Sequence, residues 1–209
     1  MSFPAFYADV RKIVMRDPLA GVLGAASDGG VMEYCYADAV KLSGHSCPTV
    51  ASSFIMAAKG LAHLYPGETP LRGGVGVEIR EPELEGVTGV LARVFSLVTG
   101  AAGQDGFKGL GGQFNRRGLL RFGADHIGGQ VRLVRTDTGR AVDLGYHPEA
   151  MPQASPRQLM GRVLSGEASA EEAREFGEMW QGRVKLILID LADDPALVSV
   201  DDAGVVAWA

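Results

Sequence analysis

His45-Ser46-Cys47-Pro48 places an imidazole and a thiol two residues apart, directly ahead of a stretch with helical apolar spacing. Pro48, with its fixed φ and missing N–H, suits a first helical position, which puts Cys47 at a helix N-terminus. Unpaired N–H groups and the positive end of the helix dipole there favour thiolate over thiol. A thiolate binds soft metals and attacks electrophiles. His45 and Cys47 therefore suit two kinds of chemistry: ligation of zinc or another divalent transition metal, or a cysteine nucleophile with a histidine as its base. A buried thiol beside a turn-capping imidazole is the purely structural alternative. Two side chains do not complete a tetrahedral site, so further ligands must come from elsewhere. His147, in Gly145-Tyr146-His147-Pro148, is the preferred extra ligand over His126, which follows Asp125, and His63, which falls within a helical stretch. Cys35, flanked by Tyr34 and Tyr36, is expected in the core.

The elements that must position these residues follow from periodicity. Phe3, Phe6, Tyr7, Val10, Ile13 and Val14 recur at helical spacing and predict an N-terminal helix stopped by Asp17-Pro18. Residues 19–35 carry an Asp-Gly-Gly turn signal and read as a short hairpin or a loop. Asp38 to Leu42 predicts a short helix closed by Gly44, and Val50 through Tyr65 a long core helix ended by Pro66-Gly67. GGVGVEIRE over 73–81 alternates as a half-buried strand, and Val87 to Val98 forms another helical stripe closed by Thr99-Gly100. The segment LLRFG, then QVRLVRT and RAVDLGY across an Asp137-Thr138-Gly139 turn, predicts successive strands with an antiparallel portion of sheet. Beyond the 148–156 linker, Ser155-Pro156 and the Ser169/Glu172 capping box each start a helix, and VKLILID over 184–190 suits a buried strand. The expected fold is α+β: a mixed or antiparallel sheet packed with helices, one main domain over 1–149, and a helical appendage with one strand over 150–209.

Residues 100–118, rich in glycine and carrying Lys108, Arg116 and Arg117, invite a phosphate-loop reading. They match neither G-x-x-x-x-G-K-[ST] nor a strand–turn–helix G-x-G-x-x-G, and a flexible substrate or partner loop fits better. Composition bounds the remaining classes. With 209 residues, 46% apolar and 22% charged, the chain is an ordinary globular protein, and a net charge of −5 argues against general nucleic-acid binding. Two cysteines make no disulfide framework. No apolar run reaches the roughly 18 residues of a membrane span, and no signal-peptide pattern opens the chain, so a cytoplasmic protein is expected.

The stretch YADAVKLSGHSCPTVASSFIMAAKGL resembles the opening of the FmdE family, named for the E subunit of formylmethanofuran dehydrogenase: a short helix, a G-H-x-C-P turn and a long helix. ARVFSLVTG, the glycine-rich loop, RRGLLRFG and VRLVRTDTGRAV are similar to that family's later segments, so the resemblance covers about residues 33–145. It implies an α+β homodimer in which His45 and Cys47 line a metal or active site. By family analogy alone it also implies a link to molybdenum, tungsten or pterin-dependent redox metabolism; separately, the long loop and the C-terminal helices suit an accessory subunit that docks on a larger oxidoreductase. Three departures reduce the ligand set. Glu83-Leu84-Glu85-Gly86-Val87 and Ala101 stand where the family usually has cysteines, Ser43 replaces the first of two turn histidines, and residues 150–209 contain no cysteine for a zinc finger. An exchangeable metal with an open position for a small-molecule ligand is the resulting expectation.

Overall fold

A computed structural model describes residues 3–152 and 156–208. The long helix α3 (Pro48–Leu64) organises the core. Val50, Ala51, Phe54, Ile55, Met56, Ala57, Leu61 and Leu64 are all buried, so it is apolar around most of its circumference, as a helix enclosed on several sides must be. Below it lies a five-stranded sheet in the order β4-β3-β5-β6-β7, built from β3 (Val75–Ile79), β4 (Leu120–Phe122), β5 (Val131–Arg135), β6 (Arg140–Tyr146) and β7 (Val198–Val205). The β3–β4 pair is parallel and the others antiparallel, so the expected α+β class with a mixed sheet is observed. Gly60 lets α3 approach the sheet, since a Cβ there would stand 2.8 Å from a Leu133 methyl and 2.9 Å from a Leu144 methyl.

α2 (Tyr36–Ser43) and α4 (Thr88–Thr99) pack against α3, and both end on a left-handed glycine, Gly44 and Gly100. The opposite face of the sheet is polar. Register aligns Arg121, Glu78, Arg132, Asp143 and Asp201 across all five strands, and Arg132 grips Asp143 through two bonds of 2.7 and 2.8 Å. Trp208 covers the ladder's end, its ring lying where a Cβ at Gly76 would go and 4.0 Å beneath the Arg121 guanidinium.

Three sequence expectations are corrected. The N-terminus is not one helix: a 3-10 turn (Ala5–Asp9) leads into strand β1 (Ile13–Arg16), which pairs with β2 (Val31–Tyr34). Phe6 and Tyr7 are held by edge-on ring contacts, Tyr7 against Tyr36 at 4.9 Å, while Ile13 to Arg16 alternate buried and exposed. Residues 19–35 contain both β2 and a short helix, α1 (Pro18–Val22), capped by Asp17. VKLILID is helical: α6 (Ala170–Lys185) continues into a π-helical turn, Leu186–Asp190. Val184, Ile187 and Leu188 share one buried face against α3, the three- and four-residue spacing of a helix, which a short apolar run hides within a strand-like pattern. The Ser169–Glu172 capping box opens α6 as expected, and α5 (Arg157–Leu164) precedes it, while the predicted start at Ser155 lies outside the described residues. Val205 ends strand β7, and the described chain runs on to Trp208.

Candidate functional site

The G-H-S-C-P turn joins α2 to α3. Gly44 takes φ +74°, a conformation that side chains rarely adopt, and its N–H closes α2 on the Val40 carbonyl. His45 follows, exposed to solvent, with Nδ1 2.9 Å from the Ser43 carbonyl oxygen. A carbonyl accepts only, so this contact selects the Nδ1–H tautomer and leaves the Nε2 lone pair outward. A metal-ligating histidine is oriented by a hydrogen bond of this kind on its other ring nitrogen. Cys47 is the N-cap of α3, extended at φ −146° and ψ 169°, half-buried against the core, with no capping hydrogen bond from its side chain.

Ser46, between them, is fixed by parts of the chain that sequence reading did not connect. Tyr36 Oη lies 2.9 Å from Ser46 Oγ, Ser46 Oγ donates to Gln181 Oε1 at 3.2 Å, and Tyr7 Oη donates to the same oxygen at 3.1 Å. With Ser46 donating onward, Tyr36 supplies the proton of the first bond. The Ser46 carbonyl accepts from Trp180 Nε1 at 2.9 Å. Helix α6 thus clasps the turn, and the C-terminal region belongs to the site's architecture. Nothing in the spacing of Tyr7, Tyr36, Trp180 and Gln181 signals this, since the contacts link residues up to 174 positions apart.

Two phenols, Tyr36 and Tyr146, interact electrostatically with Cys47. Burial pushes Tyr146 up to about 12, with Arg183 opposing and Glu149 and Cys47 reinforcing the shift. Burial also raises Tyr36, eased by its bond to Ser46 and reinforced by Tyr7 and Cys47, and Tyr7 is raised by burial as well. All three stay protonated at neutral pH.

His147 is elsewhere. It follows β6 on the polar face of the sheet, where Nε2 meets Ser199 Oγ at 3.2 Å, whereas Cys47 caps the helix packed on the other face. His126 approaches Glu78 on the polar face at 3.5 Å, and His63 lies 4.0 Å from Asp202. Cys35 is half-buried rather than core: it caps α2, with Sγ 3.1 Å from an Asp38 oxygen that also accepts its backbone N–H. Among the described residues no group of three or more His, Cys, Asp or Glu side chains is placed to hold a metal ion. The donor types at the turn fit zinc, and their number, one imidazole and one thiol, falls two short of a closed tetrahedral site.

The 100–118 loop is tied down. Arg116, buried, reaches Asp17 Oδ1 at 2.8 Å, and Arg72 takes the other oxygen at 2.9 Å. A Cβ at Gly73, where φ is +84°, would overlap the Arg116 guanidinium at 1.8 Å, so glycine is required there. Leu110 and Gln113 exchange backbone bonds at the loop's tip, with Phe107, Lys108 and Leu110 exposed. No helix among the described residues is long and apolar enough to cross a membrane.

No family model matches the chain, and no curated protein does. Among solved structures, a tungsten formylmethanofuran dehydrogenase FmdE-like protein from Syntrophus aciditrophicus is similar, at 15% identity and a TM-score of 0.40, over 83% of this chain and 74% of that one.

Proposed function

We propose that the protein is a metal-binding member of the FmdE group, which holds an exchangeable divalent transition metal, zinc by preference, at His45 and Cys47. The observation that carries this reading is the His45 ring. Its Nδ1–H is spent on the Ser43 carbonyl and its Nε2 lone pair faces outward two residues from an uncapped thiol at a helix N-terminus. A zinc ion there would supply Lewis acidity to a ligand in its open positions. Those positions fall to a small molecule or to a second copy of the chain in a homodimer. His147 is not part of this ligand set, because it stands on the far face of the sheet.

The chain's own contribution is positional. Tyr36, Gln181 and Trp180 hold Ser46, so the residues on either side of it keep their orientation without rearranging on binding. Elemental analysis of wild type, His45→Ala and Cys47→Ala, each checked for folding by circular dichroism, tests the reading. Near-stoichiometric zinc in wild type, lost in both folded variants, is the expected outcome. No metal in wild type after added zinc overturns it.

A second reading makes Cys47 a nucleophile, favoured by its place as the N-cap of α3, at the positive end of the helix dipole. Iodoacetamide separates the two. Labelling of metal-free Cys47 that zinc blocks favours ligation, whereas an activity lost on alkylation and indifferent to chelators favours the nucleophile.

A further inference from the structure

We propose a second site, on the polar face of the sheet and independent of the Cys47 turn, where Ser199 acts as a nucleophile, His147 as its general base and Glu149 as the carboxylate that orients the imidazole. Its substrate class is a small uncharged carboxylic ester. Register creates the pair: Ser199 lies opposite Gly145, and His147 follows two residues later with its N–H bonded to the Leu197 carbonyl at 2.8 Å. His147 Nε2 is 3.2 Å from Ser199 Oγ, and its Nδ1 is 3.6 Å from Glu149 Oε1. With the proton on Nδ1, toward the carboxylate at ion-pair rather than hydrogen-bond distance, Nε2 is left to accept from the serine hydroxyl.

Gly145 makes room for the Ser199–His147 pair. A Cβ built there would stand 2.8 Å from both His147 Nε2 and Ser199 Oγ, closer than side chains pack, so glycine at this position is what lets the two side chains meet over the strand. The pair lines a cavity of about 510 Å³ together with Gly128, Gly129 and Gly145, in the size range of small-molecule sites. Arg80 forms part of its wall. Its guanidinium is fixed by the carbonyls of Gly129 at 2.8 Å, Asp125 at 3.3 Å and Ile127, which holds a positive charge on the cavity wall.

In the reaction Ser199 Oγ bonds to the ester carbonyl carbon while its proton passes to His147 Nε2. The tetrahedral adduct then breaks its bond to the alcohol oxygen, which takes that proton and leaves. Water attacks the acyl-serine in turn, giving its proton to His147, and collapse releases the carboxylic acid and restores the Ser199 hydroxyl. The sequence consumes one ester and one water and involves no redox change.

The test is to treat the full chain with a fluorophosphonate probe, map the adduct by peptide mass spectrometry, and follow p-nitrophenyl acetate hydrolysis in parallel. The expected result is one adduct on Ser199, absent in Ser199→Ala and slowed about 100-fold in His147→Ala. Glu149→Gln slows labelling and Glu149→Asp restores part of it, a rescue that loss of folding would not show. Absence of an adduct, an adduct on another residue, or labelling of His147→Ala at the wild-type rate overturns the proposal. Mapping on wild type decides even where a variant fails to fold. Zinc content of the same preparations reports on His45 and Cys47 separately, so either reading can fail alone.

Discussion

Asp17 does three things with one carboxylate. It caps α1 through the N–H groups of Leu19 and Ala20, receives Arg72 on one oxygen and receives Arg116 on the other. Burial acts to raise its pKa, but the hydrogen bond from Arg72, the charge of Arg116, the Ala20 N–H and the charge of Arg72 outweigh it and hold the carboxyl below its ordinary range. A depressed folded-state pKa contributes stability that is present above the unfolded value, about 3.9, and lost as pH falls through the folded one. Asp17→Asn leaves two guanidiniums without their counter-ion and should cost about 3–5 kcal/mol in urea unfolding at neutral pH. Its stability should also fall less steeply than wild type between about pH 4 and pH 2, and parallel acid profiles would show that Asp17 is not the linked group. The sequence offered only Asp17-Pro18 as a helix stop. Its pairing with Arg116, 99 positions away, had no local sign.

At the scale of elements, α6 carries most of the difference between expectation and structure. Its N-terminal half reads correctly, since Ser169 and Glu172 satisfy each other's backbone N–H groups. The π-helical turn that extends it does not, because four consecutive apolar residues, Leu186 to Ile189, leave no polar position between them to reveal a period. The helix also closes over the His45–Cys47 turn through the Trp180 bond to the Ser46 carbonyl. Trp180→Phe removes that donor and should destabilise the protein by about 1 kcal/mol. It should also speed modification of Cys47 by a thiol reagent, with adducts resolved by peptide mapping and the Cys35 rate unchanged. Equal Cys47 rates in the two proteins would mean that α6 does not restrain the turn.

At the scale of the molecule, β7 pairs with β6 along seven residues while α6 and its π-helical extension pack on α3, so the chain's last third is built into the core. Both tryptophans, Trp180 and Trp208, lie in that third. Tryptophan fluorescence therefore follows the C-terminal region, while far-ultraviolet circular dichroism follows all elements. Coincident urea transitions are the expected outcome, and a fluorescence transition preceding the other would mark 150–209 as a unit that unfolds separately.

The amino-acid sequence by itself determined the helices and strands whose periodicity is interrupted by polar residues or glycine: α2 and α3 around the G-H-S-C-P turn, α4 with its Gly100 cap, and the β5–β6 hairpin. It also placed His45 and Cys47 together at a proline-led helix start, because such a turn is a property of adjacent residues. Only the tertiary structure decided what faces what. Strand register put His147 against Ser199 on the face opposite Cys47, and helix packing brought Tyr7, Trp180 and Gln181 to Ser46. Local sequence encodes backbone preference and periodicity. Meetings between distant side chains arise from burying apolar surface, which is non-directional and leaves no mark at any one position.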